Sequence, residues 1–166
     1  MNHVLTSERL GLRPVTAEEH EVLFAHWTDP RVRQFLFDGG VLAASEITEA
    51  IDGSVRGFAS EGYGIWVVRL RESGEAIGVA GLRPLEELGL EVFYSLNPHV
   101  WGRGLATEAA RAVVDYGLDV LGLPRVLAEV DEGNTGSIAV VERLGMTPFA
   151  VVPGVLGPMI RYRVSR

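Results

Sequence analysis

Residues Asn97 to Ala110, N-P-H-V-W-G-R-G-L-A-T-E-A-A, hold the densest chemical signal in the chain. Gly102 and Gly104 stand directly before a stretch in which Leu105, Ala106, Ala109, Ala110 and Val113 recur at helical spacing. A tight turn there presents free backbone N–H groups at the positive end of a helix dipole, which is an anion-binding arrangement. Glycine suits such a turn because a Cβ would hold off a phosphate and forbid left-handed backbone angles. The chemistry implied is the binding of a phosphate-bearing ligand, best read as a cofactor. A P-loop is excluded, because no G-x-x-x-x-G-K-[ST] string occurs. The dinucleotide fingerprint G-x-G-x-x-G fails at its third glycine, where Thr107 stands.

The elements that must carry this turn follow from periodicity. His3 to Val15 mixes apolar and polar residues as a strand does, before Thr16 caps a helix carrying Val22, Leu23 and His26 on one face. Asp29-Pro30 reads as a second helix start, running through Val32 to Phe35 and broken by Gly39-Gly40. Ser45 to Ala59 predicts a third helix. Tyr63–Leu70, Ala76–Leu82 and Leu88–Leu96 then read as strands, the last with Leu90, Val92, Tyr94 and Leu96 alternating against Glu91, Phe93 and Ser95. The helix from Gly104 follows, then a strand at Val126–Asp131, a short helix from Asn134 stopped at Gly145, and closing strands at Met146–Val152 and Met159–Val164. The order predicts an α/β (α+β) sandwich on a mixed sheet with a β-α-β crossover.

Several strings in this order resemble the GNAT (Gcn5-related) N-acetyltransferase superfamily. They are Glu91-Val92-Phe93-Tyr94-Ser95-Leu96, Trp101-Gly102-Arg103-Gly104-Leu105-Ala106-Thr107-Glu108-Ala109, Asn134-x-x-Ser137 and Arg143-Leu144-Gly145-Met146. With the opening Thr6-Ser7-Glu8-Arg9-Leu10-x-Leu12-Arg13-Pro14, they look like the branch of the ribosomal-protein N-terminal (alanine/serine) acetyltransferases. The coenzyme A motif [QR]-x-x-G-x-[GA] appears as His99-Val100-Trp101-Gly102-Arg103-Gly104, departing from the pattern at His99. The resemblance implies a mostly antiparallel, splayed sheet of about seven strands flanked by helices, and acetyl-CoA as co-substrate.

It also implies a site. The diphosphate would lie on the backbone N–H groups of Trp101, Gly102, Arg103, Gly104, Leu105 and Ala106, extending to Thr107. The pantetheine arm would run along Tyr94, Ser95, Leu96 and Asn97 as an added strand. That requires Leu88–Leu96 and Val126–Asp131 to splay, with a β-bulge expected near Phe93 to Ser95. Asn134 would contact the arm, although capping a helix is reason enough for it. Ser137, one turn further on, suits a hydroxyl donor to a departing thiolate; Tyr94 is a second donor or simply core packing.

The expected reaction is direct acetyl transfer to a primary amine. With zero cysteines a covalent acetyl-thiol enzyme is excluded, so both substrates bind together. A backbone N–H near Leu96 would polarise the thioester. A chain-terminal amine of pKa near 8 is already neutral about a tenth of the time at pH 7, while a lysine amine near 10.4 is neutral only about once in 2,500. The first acceptor needs a weak base and the second a dedicated one. Glu129, between Ala128 and Val130, and Glu91 are the candidate bases, Glu129 if burial raises its pKa; either could instead be a solvent-facing glutamate. Trp27, Phe35, Trp66 and the Pro153–Pro158 loop are candidates for the acceptor pocket. The acceptor is expected to be a protein or peptide N-terminal α-amine, with a small-molecule amine (amino acid, polyamine, aminoglycoside) or a non-catalytic acyl-CoA-binding module as alternatives.

Bulk properties agree. At 166 residues and 47% hydrophobic content, one acetyltransferase domain over 1–166 is expected. The net charge of −7 argues against nucleic-acid binding and suits a cationic amine. No cysteine site is available for zinc, and no metal is expected. Neither an apolar leader nor a membrane-length apolar run is present, so the expectation is a cytoplasmic monomer or homodimer.

Overall fold

The computed structural model describes residues 3–34 and 40–166. Within them the strand-forming runs join one eight-stranded sheet. Its strands are β1 (Leu5–Thr6), β2 (Leu10–Pro14), β3 (Ile65–Leu70), β4 (Ala76–Leu85), β5 (Gly89–Leu96), β6 (Arg125–Asp131), β7 (Thr147–Val152) and β8 (Met159–Ser165). They lie in the order β1-β2-β3-β4-β5-β6-β8-β7. Only β5 and β6 run parallel, because the chain between them is spent on a helix that crosses over the sheet. The eighth strand, beyond the seven expected, comes from the N-terminal run. It folds back on itself at Ser7, whose N–H donates to Leu10 O, instead of forming one strand.

Among the described residues four α-helices join the sheet: α1 (His20–Thr28), α2 (Ala44–Ser60), α3 (Leu105–Asp115) and α4 (Thr135–Arg143). Alternation along the strands divides the interior in two. Leu10, Trp66, Leu82, Val92, Leu96, Val126 and Val130 pack with α3 and α4 on one face. Val15, Val67 and Val79 pack with Leu23, Trp27, Ile47 and Ile51 of α1 and α2 on the other.

Two expectations need correction. Asp29-Pro30 opens a turn over 30–34 and not a helix: Asp29 Oδ1 accepts the Arg31 N–H at 2.9 Å, a side-chain bond that competes with helical pairing. Phe35 lies outside the described residues. The bulge expected near Phe93–Ser95 is also absent, since β4 and β5 pair without a break from Gly78–Leu96 to Leu85–Gly89. Glycine on β4 takes up the crowding instead. A Cβ at Gly78 would stand 2.1 Å from Ser95 O, and one at Gly81 would stand 2.4 Å from the Phe93 ring.

Candidate active site

The glycine turn folds as its composition requires. Pro98–Val100 form one 3-10 turn, and Gly102 and Gly104 then take left-handed angles, φ 79° and 76°. Gly104 is the N-cap of α3 and supplies no side chain to cap it, so the helix's first N–H groups have no cap from that residue. No atom lies within 4 Å of where a Gly102 Cβ would be, and only the Arg9 guanidinium approaches Gly104, at 3.6 Å. Leu105 is buried and anchors the helix, whereas residues 101–104 are exposed. Arg9, Arg71 and Arg103 line a shallow cleft beside the tip.

Arg9 and Ser7 fasten this tip to the first hairpin. The Arg9 guanidinium donates to Arg103 O at 2.8 Å and to Glu108 at 2.7 Å, and the Arg9 N–H and Ser7 hydroxyl also bond the Glu108 carboxylate. Burial pushes the Glu108 carboxyl up, but those hydrogen bonds outweigh it and hold the group below its ordinary value. His99, at the departure from the resembled motif, pairs with Glu75 on the surface at 3.0 Å.

The required opening is present. β5 and β6 pair only at Glu91–Leu127 and separate beyond it. Asn97 N–H bonds Ile77 O on β4 at 2.7 Å, so by the alternation of an antiparallel ladder the N–H groups of Tyr94 and Leu96 point the other way, toward the gap. Leu96 O is taken by the Trp101 indole N–H at 2.8 Å.

On the α3–α4 face of the gap, the Tyr94 and Ser137 hydroxyls meet at 2.7 Å. Burial pushes the Tyr94 phenol up to about 12, so it is a protonated donor at neutral pH. Asn134 Oδ1 accepts the Ser137 N–H at 3.2 Å and caps α4, which brings both residues to β5.

The opposite face carries Glu91 and Ser95 of β5, Asn97 just past its end, and Glu129 of β6. Both glutamates meet arginines directly across the strands. Arg83, the register partner of Glu91, donates to it at 2.9 Å; Arg161, the partner of Glu129, donates to it at 2.7 Å and also reaches Glu86. The deep burial foreseen for Glu129 falls on Glu91, which is 4% exposed. Desolvation raises the Glu91 pKa, Arg83 opposes it, and the nearby Glu129 charge adds to the rise. Trp27 and Trp66 belong to the two cores, and the Pro153–Pro158 loop is tied to the end of β6 by Glu132 N–H to Pro158 O at 2.9 Å.

The residue that sequence reasoning passed over is His26. Its Nδ1 lies 2.6 Å from Asn97 Oδ1 and its Nε2 lies 2.9 Å from Ser95 Oγ. The available signal was a histidine on the apolar stripe of α1, beside Leu23 and Trp27; its partners are some 70 residues away in sequence.

Helix-tip donors without a side-chain cap, an open strand edge and a half-buried hydroxyl pair together suit a phosphorylated carrier with a reactive tail, the equipment of an acyltransferase. The chain belongs to the GNAT acetyltransferases: the family model described as Acetyltransferase (GNAT) domain matches residues 9–147. It is 32% identical over 146 residues to the uncharacterized N-acetyltransferase p20 of Bacillus licheniformis, covering 84% of this chain and 80% of that one. It is 26% identical to the spermidine N(1)-acetyltransferase of Escherichia coli K12, covering 86% and 75%. Among solved structures it superposes on RimL, a ribosomal L7/L12 α-N-protein acetyltransferase in complex with coenzyme A, with TM-score 0.84, 16% identity and coverage of 98% and 97%. The protein is therefore an N-acetyltransferase that uses acetyl-CoA as donor. The glycine cradle, with open space where its Cβ atoms would be, and the unzipped β5 edge fit that donor. Among the described residues no cluster could hold a metal ion, and no helix is long and apolar enough to cross a membrane.

Proposed function

We propose that this acetyltransferase acts on the α-amine of a protein or peptide N-terminus. The observation that carries this reading is the pairing of both acceptor-side carboxylates, Glu91 with Arg83 and Glu129 with Arg161. A carboxylate oxygen already held by a guanidinium is not free to reach an amine's proton, which suits an amine of pKa near 8 far better than one above 10.

Acetyl-CoA supplies the acetyl group activated as a thioester. We assign the backbone N–H groups of Trp101 to Thr107 to its diphosphate, with Arg103 adding charge, and the backbone edge Tyr94–Asn97 with Asn134 to its arm. The Leu96 N–H would polarise a carbonyl in the gap. Tyr94 and Ser137, bonded to each other, offer a proton donor to a leaving thiolate whose pKa of about 8.5 asks for little more.

The spermidine-acetylating relative supports a second reading, a small polyamine as acceptor. Incubation with acetyl-CoA and a panel of peptides with free or blocked N-termini, alongside spermidine, separates the two. Mass spectrometry should locate the acetyl group on the terminal nitrogen of unblocked peptides. Turnover of spermidine with none of the peptides would reject the first reading.

A further inference from the structure

His26 is 3% exposed at the end of α1, yet its ring edge meets polar atoms on both sides. Hydrogen-bond roles follow from the chemistry of the partners. The Asn97 side-chain oxygen only accepts, so Nδ1 carries the ring proton. Nε2 is then bare and accepts the hydroxyl proton of Ser95. The result is a chain from Ser95 through His26 to Asn97, with the same logic of roles as a serine–histidine–acid triad. Ser95 and Asn97 flank Leu96, whose N–H faces the gap. The Tyr94–Ser137 hydroxyl pair lies on the other face of β5, because successive side chains of a strand alternate. Donors to a leaving group and an acceptor of protons therefore sit on opposite sides of one strand.

We infer that Ser95 takes a proton from the acceptor amine while passing its own to His26 Nε2, with Asn97 holding the ring through Nδ1–H. Ser95 is the catalytic residue in contact with the amine; His26 and Asn97 are positioning residues that act through it. This rests on the proposed acyl transfer to an amine. The balance is simple. One ammonium N–H bond breaks as an O–H forms at Ser95, and the former Ser95 O–H breaks as an N–H forms at His26. The freed lone pair makes the C–N bond as C–S breaks. The departing sulfur takes a proton from the Tyr94–Ser137 pair, the second proton of the nitrogen replaces it there, and His26 returns its proton to solvent.

The imidazole is suited to the task. Burial depresses its pKa, against the opposing side-chain oxygen of Asn97, the backbone of Ser95 and the charge of Asp29. It is thus unprotonated and receptive at neutral pH. From β5 and the residue after it, the ring meets the uncharged Ser95 and Asn97; α2 and β4 pack near α1 through apolar side chains. Among the described residues, Asp29 at the end of its own helix is the charge that acts on it.

The test is the dependence of kcat/KM on pH for the intact protein with acetyl-CoA and an acetylated peptide acceptor's unblocked parent. His26→Gln keeps two hydrogen bonds and removes the ionisation. It should lower kcat about 100-fold or more, with an unchanged KM for acetyl-CoA and a flattened acidic limb. Ser95→Ala should lose as much, and the double variant no more than either. Ser95→Ala also serves if His26→Gln fails to fold. Asn97→Asp places a carboxylate on Nδ1 and should move the acidic limb to higher pH. Wild-type kcat and profile in His26→Gln or Ser95→Ala, or losses that multiply in the double variant, would overturn the relay and leave the proposed function standing. No acetylation of any amine by the wild-type protein would overturn both.

Discussion

β5 has two long edges, and they are built differently. Toward β4 it pairs at eight successive positions; toward β6 it pairs at one. The complete edge fixes where the strand lies and which way each side chain points. The incomplete edge leaves N–H groups of Tyr94 and Leu96 turned to a gap. A sheet is normally strengthened by finishing its ladder, and an unfinished one invites another strand. In the function proposed above the invitation is used, the firm edge holding the open one in register for the arm of acetyl-CoA.

Substitutions can break this contrast in order of expected severity. Gly78→Ala attacks the firm edge, because the new Cβ would meet the Ser95 carbonyl and the backbone sits at φ 153°. Loss of soluble, cooperatively melting protein is expected; a wild-type melting profile would show that the close approach of β4 and β5 is dispensable. Gly104→Glu attacks the helix tip next to the open edge, placing a side chain and a negative charge in the cradle at φ 76°. Calorimetry should show acetyl-CoA affinity down by about 100-fold or more, some 2.7 kcal/mol, with a melting temperature near that of the parent. Retained affinity would remove the tip from the binding site. Tyr94→Phe removes one hydroxyl of the pair bordering the gap. A fall in kcat of about tenfold with the KM for acetyl-CoA unchanged is expected, corresponding to roughly 1.4 kcal/mol at the transition state. An effect on KM alone would make Tyr94 a packing residue.

The smallest effect is expected at Glu108, whose depressed folded pKa makes its contribution present above the ordinary carboxyl value of 4.5 and lost as pH falls through the folded value. Glu108→Gln should therefore melt a few degrees lower (~4 °C) at pH 7, and the gap from the parent should close in acid. A gap that stays constant with pH would assign the loss to shape and not to charge.

The glycine turn and its helix were legible because their signals are local. Two glycines needed positive φ, and an unbroken apolar stripe followed them. The alternation on β5 was equally legible, and it separates Tyr94 from Ser95 correctly. What escaped reading were pairings set by register and crossing. Arg83 and Arg161 neutralise the two glutamates only because β4–β5 and β6–β8 align them, and no local pattern encodes that alignment. Asp29-Pro30 misled because the same residue type caps helices and closes side-chain turns, and Arg31 N–H decides the matter. His26 was hidden for a related reason. A lone histidine on an apolar stripe acquires meaning only when α1 is laid across the end of β5.

Trp101 has an optical consequence. The chain has three tryptophans; Trp27 and Trp66 are buried, while Trp101 is 53% exposed at the mouth of the cradle with its indole N–H on Leu96 O. Its emission should be the one that changes when the cradle fills, so the protein carries its own fluorophore for titrating the donor. Replacing Trp101 with Phe would silence that reporter and leave the two interior indoles as a constant background.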